Sequence, residues 1–62
     1  MSLVGYDVVI LDVELQEYRR GLVVEDSQFL CIQVSYSDGT TRESEYLRQD
    51  IEQGLYVVFV KE

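Results

Sequence analysis

An Asp-Gly pair at positions 38 and 39 is the feature that most limits how this chain can fold. It separates an alternating apolar run, Leu30 to Tyr36, from a polar run, Thr40 to Tyr46. Asp-Gly between such runs predicts a β-hairpin, because a two-residue type I′ turn requires positive φ at both of its positions. Alternation also places every second side chain on one face of a strand, and we expect that face to be core. Its members are Leu30, Ile32, Val34 and Tyr36.

Three more runs have the composition of strands. Tyr6–Val13 and Leu55–Val60 are apolar on both parities, and Tyr18–Val24 contains Gly21, which predicts a bulge or a sharp bend. The segment 47–53 has apolar side chains four residues apart and is long enough for one helical turn.

These runs together predict an all-β fold, a five-stranded SH3-like barrel with one short helical turn before the last strand. In such a barrel the first and last strands lie side by side. The polar run from Thr40 to Tyr46 suits an edge strand that is protected by charge. The chain has no repeat, no proline and no linker, so we expect residues 1–62 to form a single domain.

The small size of the chain limits its stability. A chain of 62 residues buries only about 60 % of the surface that it exposes when unfolded. Cys31 is the only cysteine and histidine is absent, so we expect no internal disulfide, no structural zinc site and no cofactor. Association with another chain is the remaining ordinary source of stability.

The charge of the chain is strongly acidic. Twelve Asp and Glu against five Lys and Arg give a formal charge of −7. A protein that binds nucleic acid usually carries a basic stripe, so we expect no nucleic-acid partner. No apolar run approaches a membrane span and no signal segment is visible, so we expect a cytoplasmic protein without a membrane partner. The acidic residues either keep a small protein soluble or form a face for a basic protein, as a DNA mimic would.

The first and last strands are apolar on both faces, although only one face of each can point into a small barrel. If the two strands are neighbours, their outward side chains form a patch of several hundred Å², a size typical of interaction surfaces. We expect this patch to form a homo-oligomer or to bind another protein. The alternative is that a bent sheet, the N-terminal segment and the Leu47–Ile51 turn cover it within one chain. The predicted interface residues are Val9, Leu11, Tyr56, Val58 and Val60.

Three stretches carry a resemblance to a known family: Tyr18-Arg19-Arg20-Gly21-Leu22-Val23, then Ile32-x-Val34-x-Tyr36-x-Asp38-Gly39, then Leu47 and Asp50-Ile51. This pattern resembles Tudor and Agenet domains over about residues 5–51. The resemblance implies an SH3-type barrel that reads methylated lysine or arginine with a cage of aromatic rings. Tyr18 and Tyr36 match two of the family's aromatic positions. Arg42 stands where a further aromatic is expected, and the loop 12–17 has no ring.

A peptide-like site is the second predicted surface. It comprises three tyrosines rimmed by carboxylates, namely Tyr18, Tyr36, Tyr46, Asp38 and Glu45.

A second resemblance is to Sm-like proteins. It rests on Val8-x-Ile10, Tyr18-x-x-Gly21-x-Val23, Asp26 and Leu30, and on Ile51-x-x-Gly54-x-x-Val57, displaced by one residue from the family's short second motif. This resemblance implies a ring-forming subunit that pairs edge strands. The chain lacks the family's N-terminal helix and the basic or Asn residues that hold RNA.

The sequence offers little for catalysis. Without histidine, no Ser-His-Asp or Cys-His arrangement can be assembled within the chain. Carboxylate pairs such as Asp12 with Glu14, or Glu43 with Glu45, are common on surface strands. We therefore expect a protein that is not an enzyme and that acts as a small acidic protein-interaction or assembly module. The alternatives are an Sm-like ring subunit and a DNA-mimic inhibitor.

Overall fold

A computed structural model describes residues 2–61, and the terminal residues Met1 and Glu62 lie outside the described part. Its elements are β1 (Asp7–Asp12), β2 (Glu17–Asp26), β3 (Phe29–Ser35), β4 (Thr41–Leu47), α1 (Arg48–Glu52) and β5 (Tyr56–Val60). The predicted all-β class, with five strands and one short helix before the last, is confirmed. Within residues 2–61 no helix is long and apolar enough to cross a bilayer.

The strands form one antiparallel sheet in the order β4-β3-β2-β1-β5. The first and last strands are therefore neighbours, as predicted, with Val9 opposite Phe59 and Leu11 opposite Val57. The charged strand β4 is one edge of this sheet, which confirms the edge-strand prediction, and β5 is the other edge.

The inner face of the sheet carries the core. Its fully buried members are Val8, Ile10, Val23, Leu30 and Ile32, with Tyr46 at 8 % exposure. Leu3, Val34, Ile51, Tyr56 and Val58 pack against them. The prediction of a core face on β3 is thus confirmed for Leu30, Ile32 and Val34. It is wrong for Tyr36, which follows the end of β3 and is 43 % exposed, with the guanidinium of Arg42 5.6 Å above its ring.

The β3–β4 connection is a hairpin, as predicted, but its turn is not type I′. Gly39 has a φ of 87°, whereas Asp38 is not among the residues with positive φ. The N–H of Gly39 donates to the carbonyl of Tyr36 (3.1 Å), and the N–H of Tyr36 donates to the carbonyl of Thr40 (2.9 Å). These bonds define a three-residue loop with a glycine in the left-handed region at its end. The Asp38 carboxylate accepts bonds from the Thr40 N–H and hydroxyl, which lowers the pKa of Asp38.

Gly21 allows β2 and β3 to approach closely. A Cβ at this position would lie 2.6 Å from the carbonyl oxygen of Gln33, well inside contact distance. The bulge expected at Gly21 falls instead between Val23 and Glu25, where the pairing register with β3 shifts. The bend and the close approach are therefore adjacent but separate features of β2.

Asp26 connects three parts of the chain. Its side chain is 2 % exposed, accepts the N–H of Leu3 at 2.7 Å and pairs with Arg48 at the start of α1. The Leu3 bond, and then the Arg48 bond, lower the pKa of Asp26 against the cost of burial. The N-terminal segment and the helix are thus held against the end of β2.

Candidate functional site

An apolar surface lies on the outer face of β1 and β5, and we call it the apolar wall. The register brings together Val9, Leu11, Val57 and Phe59, and these four side chains define it. Phe59 is 50 % exposed and Val57 38 %, while Val9 and Leu11 are half-buried. On the next strand Tyr18 lies opposite Leu11 and is 67 % exposed, so it extends the surface toward β2.

The wall contains only part of the predicted interface. Val9 and Leu11 face outward as expected, but the parity predicted for β5 is wrong. Tyr56 and Val58 pack against the core, because the register places Val58 opposite the buried Ile10. Val60 shares this inward parity, since it pairs with Val8, yet it is 42 % exposed.

Charged groups lie at the border of the wall. Arg20 lies opposite Val9 and forms an ion pair with Asp7 at 2.9 Å. Both side chains are well exposed, so the pair contributes at most about 1 kcal/mol to stability. Its main effect is that two charges at the border of the wall neutralise each other, so covering the wall near Val9 does not bury an unpaired charge.

The five residues predicted as a peptide-like site are not brought together. Tyr46 faces inward and is buried, with its ring edge-on to that of Tyr56 at 4.9 Å. Tyr18 is on the outer face, and Tyr36 and Asp38 belong to the β3–β4 turn. Glu45 lies opposite Cys31 on the outer face of β4. This arrangement does not form the aromatic cage that the Tudor resemblance implies.

A polar cleft of about 300 Å³ opens on the inner side of the molecule. Its base is formed by Tyr46 and Tyr56, and Arg19 crosses it to donate to the Ser44 hydroxyl at 3.0 Å. Burial raises the pKa of Tyr46, and the nearby Arg19 opposes this shift. The acidic residues Asp12, Glu17, Glu43 and Glu45 also line this cleft. Sequence reasoning missed this cleft, although inward-facing polar residues on strands were an available signal.

Cys31 is a poor nucleophile in this environment. The thiol is buried at 8 % exposure. Burial raises its pKa, and the nearby carboxylates of Glu25 and Glu45 raise it further, so the reactive thiolate is disfavoured. Over residues 2–61, no three or more His, Cys, Asp or Glu side chains cluster in a way that could hold a metal ion.

The fold and the wall together define a small antiparallel β protein of strongly acidic composition with an apolar surface on its first and last strands. Comparison with protein-family models, with curated proteins and with solved structures finds no match to this chain.

Proposed function

We propose that this protein is a non-catalytic interaction and assembly module that self-associates through its first and last strands. The observation that carries the proposal is the apolar wall, in which Val57 and Phe59 stay exposed beside Val9 and Leu11. A chain with a formal charge of −7 repels its own copies over most of its surface. The wall is a surface on which a second copy meets no charge.

The energy available from covering the wall is large for a chain of this size. Removing roughly 400 Å² of apolar surface from water, at about 25 cal/mol per Å², supplies on the order of 10 kcal/mol before the entropic cost of association. A single small core rarely supplies more than about 3–5 kcal/mol of net stability. The part of this energy that remains after the cost of association would add to the stability of the folded state.

We further propose that the sheet curls into a partly open SH3-like barrel, the fold to which the Tudor resemblance also points, in which β4 and β5 meet through side chains and not through backbone hydrogen bonds. The strand order β4-β3-β2-β1-β5 supports this proposal, because closure requires the two edge strands to approach each other. One side-chain contact joins the two edge strands, since the Tyr46 ring on β4 meets the Tyr56 ring on β5. Arg19 on β2 reaches Ser44 on β4 across the concave inner face.

A matched pair of substitutions tests the role of the wall. Phe59 on the wall is 50 % exposed, and Phe29 at the start of β3 is 38 % exposed, so Phe→Asp makes the same chemical change at both sites. We expect Phe59→Asp to convert the protein to a monomer of 7.2 kDa, while Phe29→Asp leaves it associated. Multi-angle light scattering at micromolar to millimolar concentration measures the difference.

The proposal also predicts that the original chain elutes above the monomer mass. A particle of 7.2 kDa throughout that concentration range would contradict self-association. Equal loss of association in both variants would instead assign the effect to general destabilisation, and circular dichroism of each variant detects that outcome.

A further inference from the structure

The outer edge of β5 carries backbone groups that point away from the sheet. The two residues that flank β5 in sequence both bond to the β1 side: the Lys61 N–H donates to the Asp7 carbonyl (2.9 Å), and the Leu55 carbonyl accepts from the Val13 N–H (3.2 Å). In an antiparallel ladder, alternate residues direct their N–H and C=O to opposite sides of the strand. Leu55, Val57, Phe59 and Lys61 therefore face β1, and Tyr56, Val58 and Val60 face the free edge.

This edge lacks the protection that the opposite edge has. β5 reads Tyr-Val-Val-Phe-Val, without charge, proline or a register shift against β1. β4 reads Thr-Arg-Glu-Ser-Glu-Tyr-Leu, in which charges discourage pairing. Natural sheets usually blunt an exposed edge with charge, proline or a bulge, so an apolar regular edge is typical of a strand that pairs with another chain.

We propose that β5 pairs with β5 of a second copy, antiparallel and centred on Val58, to form a two-fold dimer with one continuous sheet. This inference rests on the proposed self-association and specifies its geometry. A two-fold axis at Val58 aligns Tyr56 of each copy with Val60 of the other, so the strand is complementary to itself. Because Tyr56, Val58 and Val60 all face the edge, the pairing supplies about six hydrogen bonds between the chains.

The exposure of Val60 supports this arrangement. Its side chain has the inward parity of the core, but 42 % of it stays exposed because no strand lies beyond β5. In the dimer, Tyr56 of the other copy lies opposite Val60 and covers it. On the outer face, Phe59 of one chain becomes the neighbour of Val57 of the other, so the two apolar walls lie side by side and these side chains cover one another where the strands meet.

Charge complementarity favours a second copy as the occupant. The four arginines are engaged within the chain: Arg20 with Asp7, Arg48 with Asp26, Arg19 with Ser44, and Arg42 over the ring of Tyr36. Among residues 2–61, Lys61 is the basic residue that makes no such contact. It follows β5, whereas the acidic helix α1, with Asp50 and Glu52, precedes β5 and bonds to Leu55. An antiparallel β5 pair centred on Val58 sets each Lys61 opposite Leu55 of the other copy, three residues after the end of the acidic helix at Glu52.

The proposed contact between the two β5 strands is small. A strand of five residues spans about 17 Å, and interfaces of this extent form weak or transient complexes. We therefore expect monomer and dimer to exchange at micromolar concentration, which sedimentation equilibrium resolves.

Charge reversal tests the geometry without touching the core. We expect Lys61→Glu to raise the dimer dissociation constant about tenfold at low salt, because the two-fold axis doubles the effect of each exposed pair. Glu52→Lys combined with Lys61→Glu should restore the original constant. Antiparallel pairing of β5 with the β4 edge of another copy would instead place Lys61 near the start of β4, away from α1, so this double variant would then show no restoration. That result would overturn the proposal.

Hydrogen exchange gives an independent signature. In the dimer the amides of Tyr56, Val58 and Val60 become protected as concentration rises, whereas those of Val57 and Phe59 are protected at every concentration by β1. A self-associated particle in which Tyr56, Val58 and Val60 exchange freely would overturn edge pairing and leave association through the wall intact. A particle that is monomeric at all concentrations would overturn both proposals.

Discussion

Gly21 illustrates how a single residue sets the distance between two strands. The place of a Cβ is already occupied by the main-chain carbonyl of Gln33, and main-chain atoms cannot rotate away as a flexible side chain can. We expect Gly21→Ala to destabilise the fold by about 1–3 kcal/mol, measured by urea denaturation. Ser35→Ala, an exposed change on the facing strand, is the control and should be nearly neutral. Equal stability of the two variants would contradict the steric argument.

Asp26 predicts a pH dependence of stability at the residue scale. Its pKa is lowered in the folded state, chiefly by the Leu3 N–H and then by Arg48. A depressed folded pKa contributes stability above the unfolded value of 3.8, and this stability is lost as pH falls through the lower folded value. Asp26→Asn should therefore flatten the stability profile below about pH 4 and cost about 1–3 kcal/mol at pH 7.

The two partners of Asp26 can be separated experimentally. Arg48→Met removes the second cause of the lowered Asp26 pKa and keeps the Leu3 bond. Its profile of stability against pH should therefore lie between those of the original chain and Asp26→Asn. Thermal denaturation at several pH values measures all three. A profile for Asp26→Asn that parallels the original would show that another carboxylate carries the acid dependence.

At the scale of elements, the β3–β4 hairpin depends on the handedness of one position. Gly39 has a φ of 87° and open space around it, so the cost of an added methyl group is conformational and not steric. Gly39→Ala should reduce stability by about 1–2 kcal/mol, whereas D-alanine at the same position, which prefers positive φ, should be tolerated. A chain of 62 residues can be made by chemical synthesis, and urea denaturation of the two products tests the prediction. Equal stability of the two would be inconsistent with the three-residue loop.

The elements were predictable because local chemistry determines them. Gly39 and the alternation of β3 located the hairpin, and the apolar runs located β1 and β5. The parity of β5 was not predictable, because both of its faces are apolar and only the pairing of Val58 with Ile10 decides which face is buried. The cleft depends on Arg19 meeting Ser44 across 25 residues of chain, and the Asp26 contact spans 22–23. Contacts between residues so far apart in the chain leave no local pattern in the sequence.

The whole molecule should show concentration-dependent stability. If association stabilises the fold, mass action makes the midpoint of thermal unfolding rise by a few degrees for each tenfold increase in protein concentration. Phe59→Asp removes the apolar contact, so its Tm should be independent of concentration, while Phe29→Asp should behave as the original chain does. Differential scanning calorimetry over two decades of concentration measures this. A constant Tm for the original chain would show that the monomer is stable alone.

The burial of Cys31 allows its thiol to be used as a probe of how often the sheet opens. This thiol lies on a strand that has a neighbour on each side, and only 8 % of the residue is exposed. An alkylating reagent reaches so buried a thiol chiefly while the sheet is briefly open, so the rate of labelling reports how often the closed molecule opens. Since no other sulfhydryl competes for the reagent, mass spectrometry can follow these openings in an intact, untagged sample.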